Sequence, residues 1–461
     1  MKKRILSLFL GVIMLGSMLV GCAKGEDKGS ESIANTTQDT ELDANTKENS
    51  SDGTEASVEP VNITFYSTQT GMDQDFMKII AQFETENPDI KVEYIAAGDD
   101  QLQKWMSLYA SNEGPSVSLM DPINIWENKE RMLVLDPAQN AWMDNVYEDA
   151  YSVYTYDGNI YGIPISTQGY GILYNQRILD GAVGGTFNPD TIKSRDDLRE
   201  LFDQIEATGV AATMITGVNW SIGAHFLGLT YTGYRGDSSV QAQVVTDSKA
   251  GTFDLENDNL FNGLMETFDL LAEYNYNKED PLVGNVDIDA EAFATGKTGT
   301  WFQGDWSWVQ IKDVAGRDEE FGIIPIPVSN DKNDRNNTII PASQPKGYCI
   351  DASQNSVEQQ EASKKFIEFI CFNEFSQQIM CDTMGATLPY KNTTVKSNSP
   401  LAAATSSYVE QGRTNSIYGF SLLLPSDFWY ENGASMEQYL AGRIDRKTLA
   451  SQISQYWVNQ N

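Results

Sequence analysis

The side chains that do most chemistry are unevenly supplied in this chain. One histidine, His225, stands in 461 residues. A multi-histidine metal site is therefore excluded, and a histidine-based triad could use only that position. A lone histidine reads first as a packed or surface residue. Carboxylates are the opposite case, with 65 Asp and Glu. Glycoside hydrolysis needs two of them about 5–9.5 Å apart, and with so many a chance pair carries no signal. No P-loop and no Gly-x-Ser-x-Gly elbow stands out. Asp287-Ile288-Asp289-Ala290-Glu291 lacks the glycine of a calcium loop. Leaving Cys22 aside, Cys349, Cys371 and Cys381 are odd in number and have apolar neighbours. They read as buried thiols, with a Cys371–Cys381 bridge left open. None of these signals calls for a cofactor. Trp220 lies in Thr216-Gly217-Val218-Asn219-Trp220-Ser221, where polar and glycine neighbours argue against a core position. Ser67, Thr68 and Gln69 follow one strand pattern and Asp121 follows another. Strand ends are where binding groups collect in open α/β sheets.

These groups need elements to position them. Val61, Ile63 and Phe65 alternate with Asn62, Thr64 and Tyr66, which predicts a strand. Phe76, Ile79, Ile80 and Phe83 repeat at helical spacing until Asn87-Pro88. Ile90, Val92 and Tyr94 mark a second strand, Leu102, Trp105, Met106 and Tyr109 a second helix, and Pro115–Met120 a third strand. That β-α-β-α-β order implies parallel pairing in an open α/β sheet. Helical stripes recur at Phe366, Ile367, Phe369 and Ile370, and at Leu449, Ile453, Tyr456 and Trp457.

The balance of 32 basic against 65 acidic residues gives a net charge of −33. A chain this acidic does not spare the basic face that nucleic acid or an anionic membrane surface requires. Met1–Arg4 is basic, and Ile5–Val20 is apolar but short for a span of about 20 residues. Leu19-Val20-Gly21-Cys22 resembles a bacterial lipobox. It implies a signal peptide over 1–21, cleavage before Cys22 and acylation of that cysteine, an anchored and not an integral protein. Residues 22–60 are polar and lack aromatics, so they read as a disordered tether. Such a tether spans about 30–35 Å. Its length points to the extracellular face of the cytoplasmic membrane in a Gram-positive host.

Four further stretches carry a resemblance. They are Tyr161-Gly162-Ile163-Pro164 with Gly171-Ile172-Leu173-Tyr174-Asn175, Phe293–Thr300 with Gly304-Asp305-Trp306, Phe321-Gly322-Ile323-Ile324-Pro325-Ile326-Pro327, and Phe428-Trp429-Tyr430 with Leu440-Ala441-Gly442-Arg443 and Leu449. In this order they resemble the extracellular solute-binding proteins of ABC importers, specifically the carbohydrate-binding branch that includes maltose-binding protein. The pattern departs at Thr298-Gly299-Thr300, where that family shows a small residue, Ala and Met.

The resemblance implies a type II periplasmic-binding-protein-like fold. Each of its two lobes would be a mostly parallel sheet flanked by helices, and crossing strands would join them. Lobe one would be 61–166 and 351–389, lobe two 171–348 and 393–461. It also implies a monomeric receptor that closes on a sugar or oligosaccharide and delivers it to ABC transporter membrane subunits, with no chemistry of its own. A sugar presents apolar C–H faces and hydroxyl edges, so its site wants aromatic plates and planar polar groups. Trp306 matches the family's Gly-x-Trp stacking residue and Trp429 its late stacking aromatic; Trp220 is the third plate. Trp301, Trp308 and Trp457 are assigned to packing or surface. Asp305 precedes the best plate, and Tyr170 and Tyr348 lie near the lobe crossings. The rival readings are a binding lipoprotein for a peptide or polyamine, and a surface enzyme.

Overall fold

The computed structural model describes residues 59–461 apart from 70, 99–100, 392, 418–420, 426 and 461. The expected signal segment 1–21, the expected acylation site Cys22 and, but for residues 59–60, the expected tether lie outside the described residues. No described helix is long and apolar enough to cross a membrane.

Lobe one opens as its apolar periodicity dictates. β1 (Val61–Ser67), α1 (Asp73–Glu86), β2 (Ile90–Ala96), α2 (Gln101–Ala110) and β3 (Val117–Met120) follow in order, and α3 (Pro122–Glu127) leaves the end of β3. β1 pairs in parallel with both β2 and β3. α1 buries Phe76, Ile79, Ile80 and Phe83, and α2 buries Trp105 and Tyr109. After the two-residue strands β4 (Thr155–Tyr156) and β5 (Asn159–Ile160), β6 (Ile163–Pro164) leads to the first crossing at Ser166–Thr167.

β7 (Gln168–Asn175) carries the chain into lobe two. There it adds α4 (Gln176–Val183), α5 (Arg195–Ala207), a π-helical turn over Trp220–Phe226, α6 (Ser238–Lys249), α7 (Asn259–Glu273) and α8 (Val286–Ala294). β8 (Thr300–Gly304), α9 (Trp308–Ile311), β9 (Phe321–Ile324) and β10 (Ile340–Ser343) complete this passage. A second crossing over 344–346 returns to lobe one through β11 (Gly347–Ile350), α10 (Val357–Phe372) and α11 (Glu374–Met384). A third crossing leads to α12 (Pro400–Glu410), β12 (Thr414–Ser416), the helix Phe428–Leu440 and the C-terminal helix Arg446–Asn459.

The first sheet has the order β2-β1-β3-β11-β6, and the second the order β12-β10-β7-β8 with β9 also on β7. Parallel pairing fits the first three strands of lobe one. Lobe two differs from expectation, because β7 runs antiparallel to β8, β9 and β10. The physical reason is direction. β7 runs away from the crossings into the lobe, whereas β8 and β10 run back toward them. β11 pairs with β3 and β6, so Gly347 and Tyr348 lie in the first sheet and not in lobe two.

The first core gathers Ile63, Phe65, Phe76 and Phe83 with Phe366, Ile367 and Ile370, so α10 closes over the sheet that β1 began. Phe65 meets Phe76 edge-on at 5.1 Å and Phe366 at 5.4 Å. In lobe two Phe226, Phe268, Phe302, Ile453 and Trp457 share one cluster. Trp301, Trp308 and Trp457 are all buried, as packing residues must be. Cys349, Cys371 and Cys381 are buried free thiols, so the Cys371–Cys381 bridge is absent.

The crossings are stitched together. The Thr167 amide donates to the Thr387 carbonyl at 2.8 Å, the Ile165 amide to the Lys346 carbonyl at 3.0 Å, and the Tyr390 hydroxyl to the Pro164 carbonyl at 2.7 Å.

Candidate functional site

Trp306 stands in a one-turn 3₁₀ helix, Asp305–Ser307, immediately after β8. Its indole folds back over Gly304. A Cβ at Gly304 would lie 2.2–2.4 Å from three atoms of that ring, so only glycine permits this pose. The ring is half-buried, with centroids 4.7 Å from His225 and 5.9 Å from Tyr170.

Trp220 begins the π-helical turn, where the Asn219 side chain accepts its backbone N–H at 2.8 Å. Its ring meets His225 edge-on at 5.6 Å. His225, expected as a packed or surface residue, therefore stands between two of the expected plates. Its Nδ1 lies 3.1 Å from the Trp220 carbonyl. Burial pushes its pKa down to about 4 against the pull of that carbonyl, which leaves the ring neutral near pH 7.

Trp429 lies on the neighbouring helix Phe428–Leu440 and is 39% exposed. This helix and the π-helical turn touch backbone to backbone. A Cβ at Gly223 would come within 2.5 Å of Gly433 Cα, and one at Gly433 within 2.5 Å of Asn219 Cβ. Two glycines thus bring Trp429's helix against the turn that holds Trp220 and His225.

Asp305 does not join the plates as a ligand group. It is 3% exposed and accepts from the Gly169 amide at 3.0 Å and the Thr405 hydroxyl at 2.7 Å. Burial raises its pKa to about 7, opposed by those bonds and by the Trp306 amide. Its role is to hold the turn beneath Trp306 against β7 and α12. Tyr348 is also misplaced by the sequence reading. It is fully buried in the lobe-one core, 6.0 Å from Phe65, because β11 belongs to the first sheet. Tyr170 stays with the plates: it is 2% exposed and its ring lies 5.0 Å from His225.

Lobe one brings its strand-end residues together. Thr68 Oγ1 donates to the Leu119 carbonyl at 2.8 Å, and Ser67 Oγ accepts the Gln69 amide at 3.2 Å. The group is clamped by Lys346, from the second crossing. Its Nζ donates to Thr68 Oγ1 at 3.0 Å and to Asp121 Oδ1 at 2.6 Å. Sequence reading missed Lys346, since a lysine in Gln344-Pro345-Lys346-Gly347 reads as a solvated loop residue.

The lobes also meet. Leu422 of lobe two packs against the lobe-one cluster that includes Tyr66, Trp105 and Ile125. Glu127, at the end of α3, has its pKa raised by burial and then by the charge of Asp427 on lobe two. Among the described residues no cluster of three or more His, Cys, Asp or Glu could hold a metal ion. A cavity of about 200 Å³ beside Tyr231, Phe253 and Trp457 shares no residue with either face.

A family model described as bacterial extracellular solute-binding protein matches residues 78–404. No curated protein sequence matches. Among solved structures, a family 1 extracellular solute-binding protein from Bifidobacterium longum subsp. infantis is similar at 19% identity and a TM-score of 0.64, over 87% of this chain and 100% of that one. Apo RafE from Streptococcus pneumoniae is similar at 19% identity and a TM-score of 0.68, over 87% and 98%. A sugar transporter protein from Bacillus licheniformis, in complex with stachyose, is similar at 19% identity and a TM-score of 0.66, over 87% and 100%. The fold is the two-lobed type II arrangement of these proteins.

Proposed function

The chain belongs to the bacterial extracellular solute-binding proteins, and from that premise we propose that its solute is a sugar or oligosaccharide handed to an ABC importer. The observation that carries this reading is the aromatic wall. Trp306 and Trp220 flank a neutral His225 on lobe two, while Thr68, Asp121 and Lys346 form a polar group at the strand ends of lobe one. Apolar plates suit the C–H faces of a sugar ring, and polar strand ends suit its hydroxyls. Structures of like fold described as complexes with raffinose and stachyose support the same class.

The chain performs no reaction in this reading. Ligand contacts both lobes, favours the closed state through its differential affinity, and the closed form docks on the transporter's membrane subunits. Acylated Cys22 holds this monomeric receptor on the outer face of the cytoplasmic membrane, and the tether gives it local reach. One observation favours a second reading. Glu127 and Asp427 place two carboxylates near one another between the lobes, which would suit a cationic solute such as a polyamine.

A thermal-shift panel on residues 59–461 decides between them. Raffinose, stachyose, maltose and chitin oligosaccharides form one arm, and spermidine and short peptides the other. Ligand at 100 times its Kd adds about 2.7 kcal/mol, which a melting curve resolves. A shift with one sugar class that persists in high salt supports the proposal. A salt-sensitive shift with spermidine alone overturns it.

A further inference from the structure

Strand register in lobe two lines up one row of residues. Gly304 of β8 is opposite Tyr170 of β7. The β7–β10 pairing at Gly169–Ala342 and Gln168–Ser343 continues to Tyr170 beside Pro341. Pro341 is in turn opposite Asn415 of β12. Residues directly opposite in a sheet share a face. Tyr170 and Asn415 therefore face the same side, one strand apart, with their backbones separated by about 10 Å at 4.7–4.9 Å per strand. It is the side on which Tyr170 meets His225 and Trp306.

Both side chains break the rule that buried polar groups are paired. Tyr170 is 2% exposed, and its hydroxyl has no hydrogen-bond partner among the described residues. Asn415 is 5% exposed, and neither its Oδ1 nor its Nδ2 has one. The neighbouring phenol, Tyr234, is already committed to the Ile339 carbonyl at 3.2 Å. Phe and Leu would fill these two positions without the cost of an orphaned dipole.

We propose that Tyr170 and Asn415 are ligand-binding residues that select a sugar ring carrying neighbouring hydroxyls, stacked against Trp306. This rests on the sugar reading above and deepens it. An amide offers a donor and an acceptor side by side, so one hydroxyl accepts from Nδ2 while its neighbour donates to Oδ1. The Tyr170 hydroxyl donates to an oxygen of the same ring. A site built this way rejects an analogue that lacks one hydroxyl, because its own buried groups are then left unpaired.

The test uses Asn415→Leu and Tyr170→Phe beside the unaltered protein. Calorimetry measures the Kd of whichever panel sugar the unaltered protein binds, and of singly deoxygenated forms of that sugar. The expected result is at least tenfold weaker binding of the parent sugar by each variant. The unaltered protein should reject one deoxy sugar at least tenfold, and Asn415→Leu should bind that sugar and its parent alike. Melting temperatures of the ligand-free variants should equal or exceed that of the unaltered protein. Affinities within twofold of the unaltered protein overturn the proposal. So does an Asn415→Leu variant that keeps the full deoxy discrimination, whatever its melting temperature, since that assigns the amide a purely structural role. Failure of the unaltered protein to bind any sugar sinks the sugar reading itself, and this inference falls with it.

Discussion

The two faces that meet between the lobes are built on different principles. Lobe two presents rings fixed by backbone geometry: Trp306 lies over Gly304, and Trp220 is carried by a π-helical turn pressed against Gly433. Lobe one presents short polar side chains fixed by one another, with Lys346 holding both Thr68 and Asp121. A wall of rings cannot adapt without moving backbone, whereas a polar clamp can exchange partners at small cost. Lobe two should therefore supply most of the binding energy, and lobe one the orientation and the coupling to the crossings.

The most damaging way to break this contrast is to strike the backbone contact beneath the wall. In Gly433→Ala the new Cβ would fall 2.5–2.7 Å from atoms of Asn219, whose side chain caps the Trp220 turn. Neither side is a flexible tip that can swing away. Forcing the two elements apart should cost about 1–3 kcal/mol of stability, read from urea unfolding. Binding should be lost as well, read by calorimetry at a temperature where the variant is folded. A variant that keeps both would show that the turn tolerates displacement and that the wall is not rigid.

Removing a plate is the next largest effect. Trp306→Ala should weaken sugar binding by at least ~2 kcal/mol, about 30-fold, with little loss of stability because the ring is only half-buried. Unchanged affinity would remove Trp306 from the site.

These two sites also show what was legible. Gly304-Asp305-Trp306 was legible as a short local pattern through the family resemblance alone; that the glycine makes room for the ring two residues on is visible only in the structure. Thr68 and Asp121 could be read because strands end where alternation stops. Asp305 was misread because its neighbour's role was lent to it; three residues distant in sequence, Gly169, Thr405 and Tyr170, decide what surrounds it and Trp306. Lys346 was missed for the same reason, and so were the ring contacts of His225, expected only as a packed or surface residue, and the unpaired amide of Asn415. Each acquires meaning only from strand register or a long-range approach, and a single chain displays neither. The antiparallel pairing of β7 was hidden too, since direction depends on where the chain crosses between lobes.

The clamp should give a smaller response. Lys346 is 18% exposed and Asp121 46%, so their ion pair is largely screened. Lys346→Met should cost under about 1 kcal/mol of stability. Its effect on affinity should stay below fivefold, because Thr68 and Asp121 remain in place to meet hydroxyls. A 30-fold loss, equal to that of Trp306→Ala, would erase the contrast between the faces.

The smallest effect concerns the carboxylates between the lobes. Glu127 is held above the usual carboxylate range, first by burial and then by Asp427, whose own oxygens accept from Tyr456 at 2.6 Å and Gln460 at 3.4 Å. The part of this rise that comes from Asp427 means that bringing the lobes together favours the protonated acid. That preference is fully satisfied below the ordinary glutamate pKa and is lost as pH rises through the raised value. Sugar binding that closes the lobes should therefore tighten as pH falls through this window and level off in acid. Glu127→Gln removes the charge at every pH. It should tighten binding about twofold, ~0.5 kcal/mol, near pH 7 and low salt, and should flatten the pH dependence. High salt should abolish the difference, since the two groups are near the surface. If the solute were a cation, the same variant would weaken binding instead, so the sign of this small change also separates the two readings of the ligand.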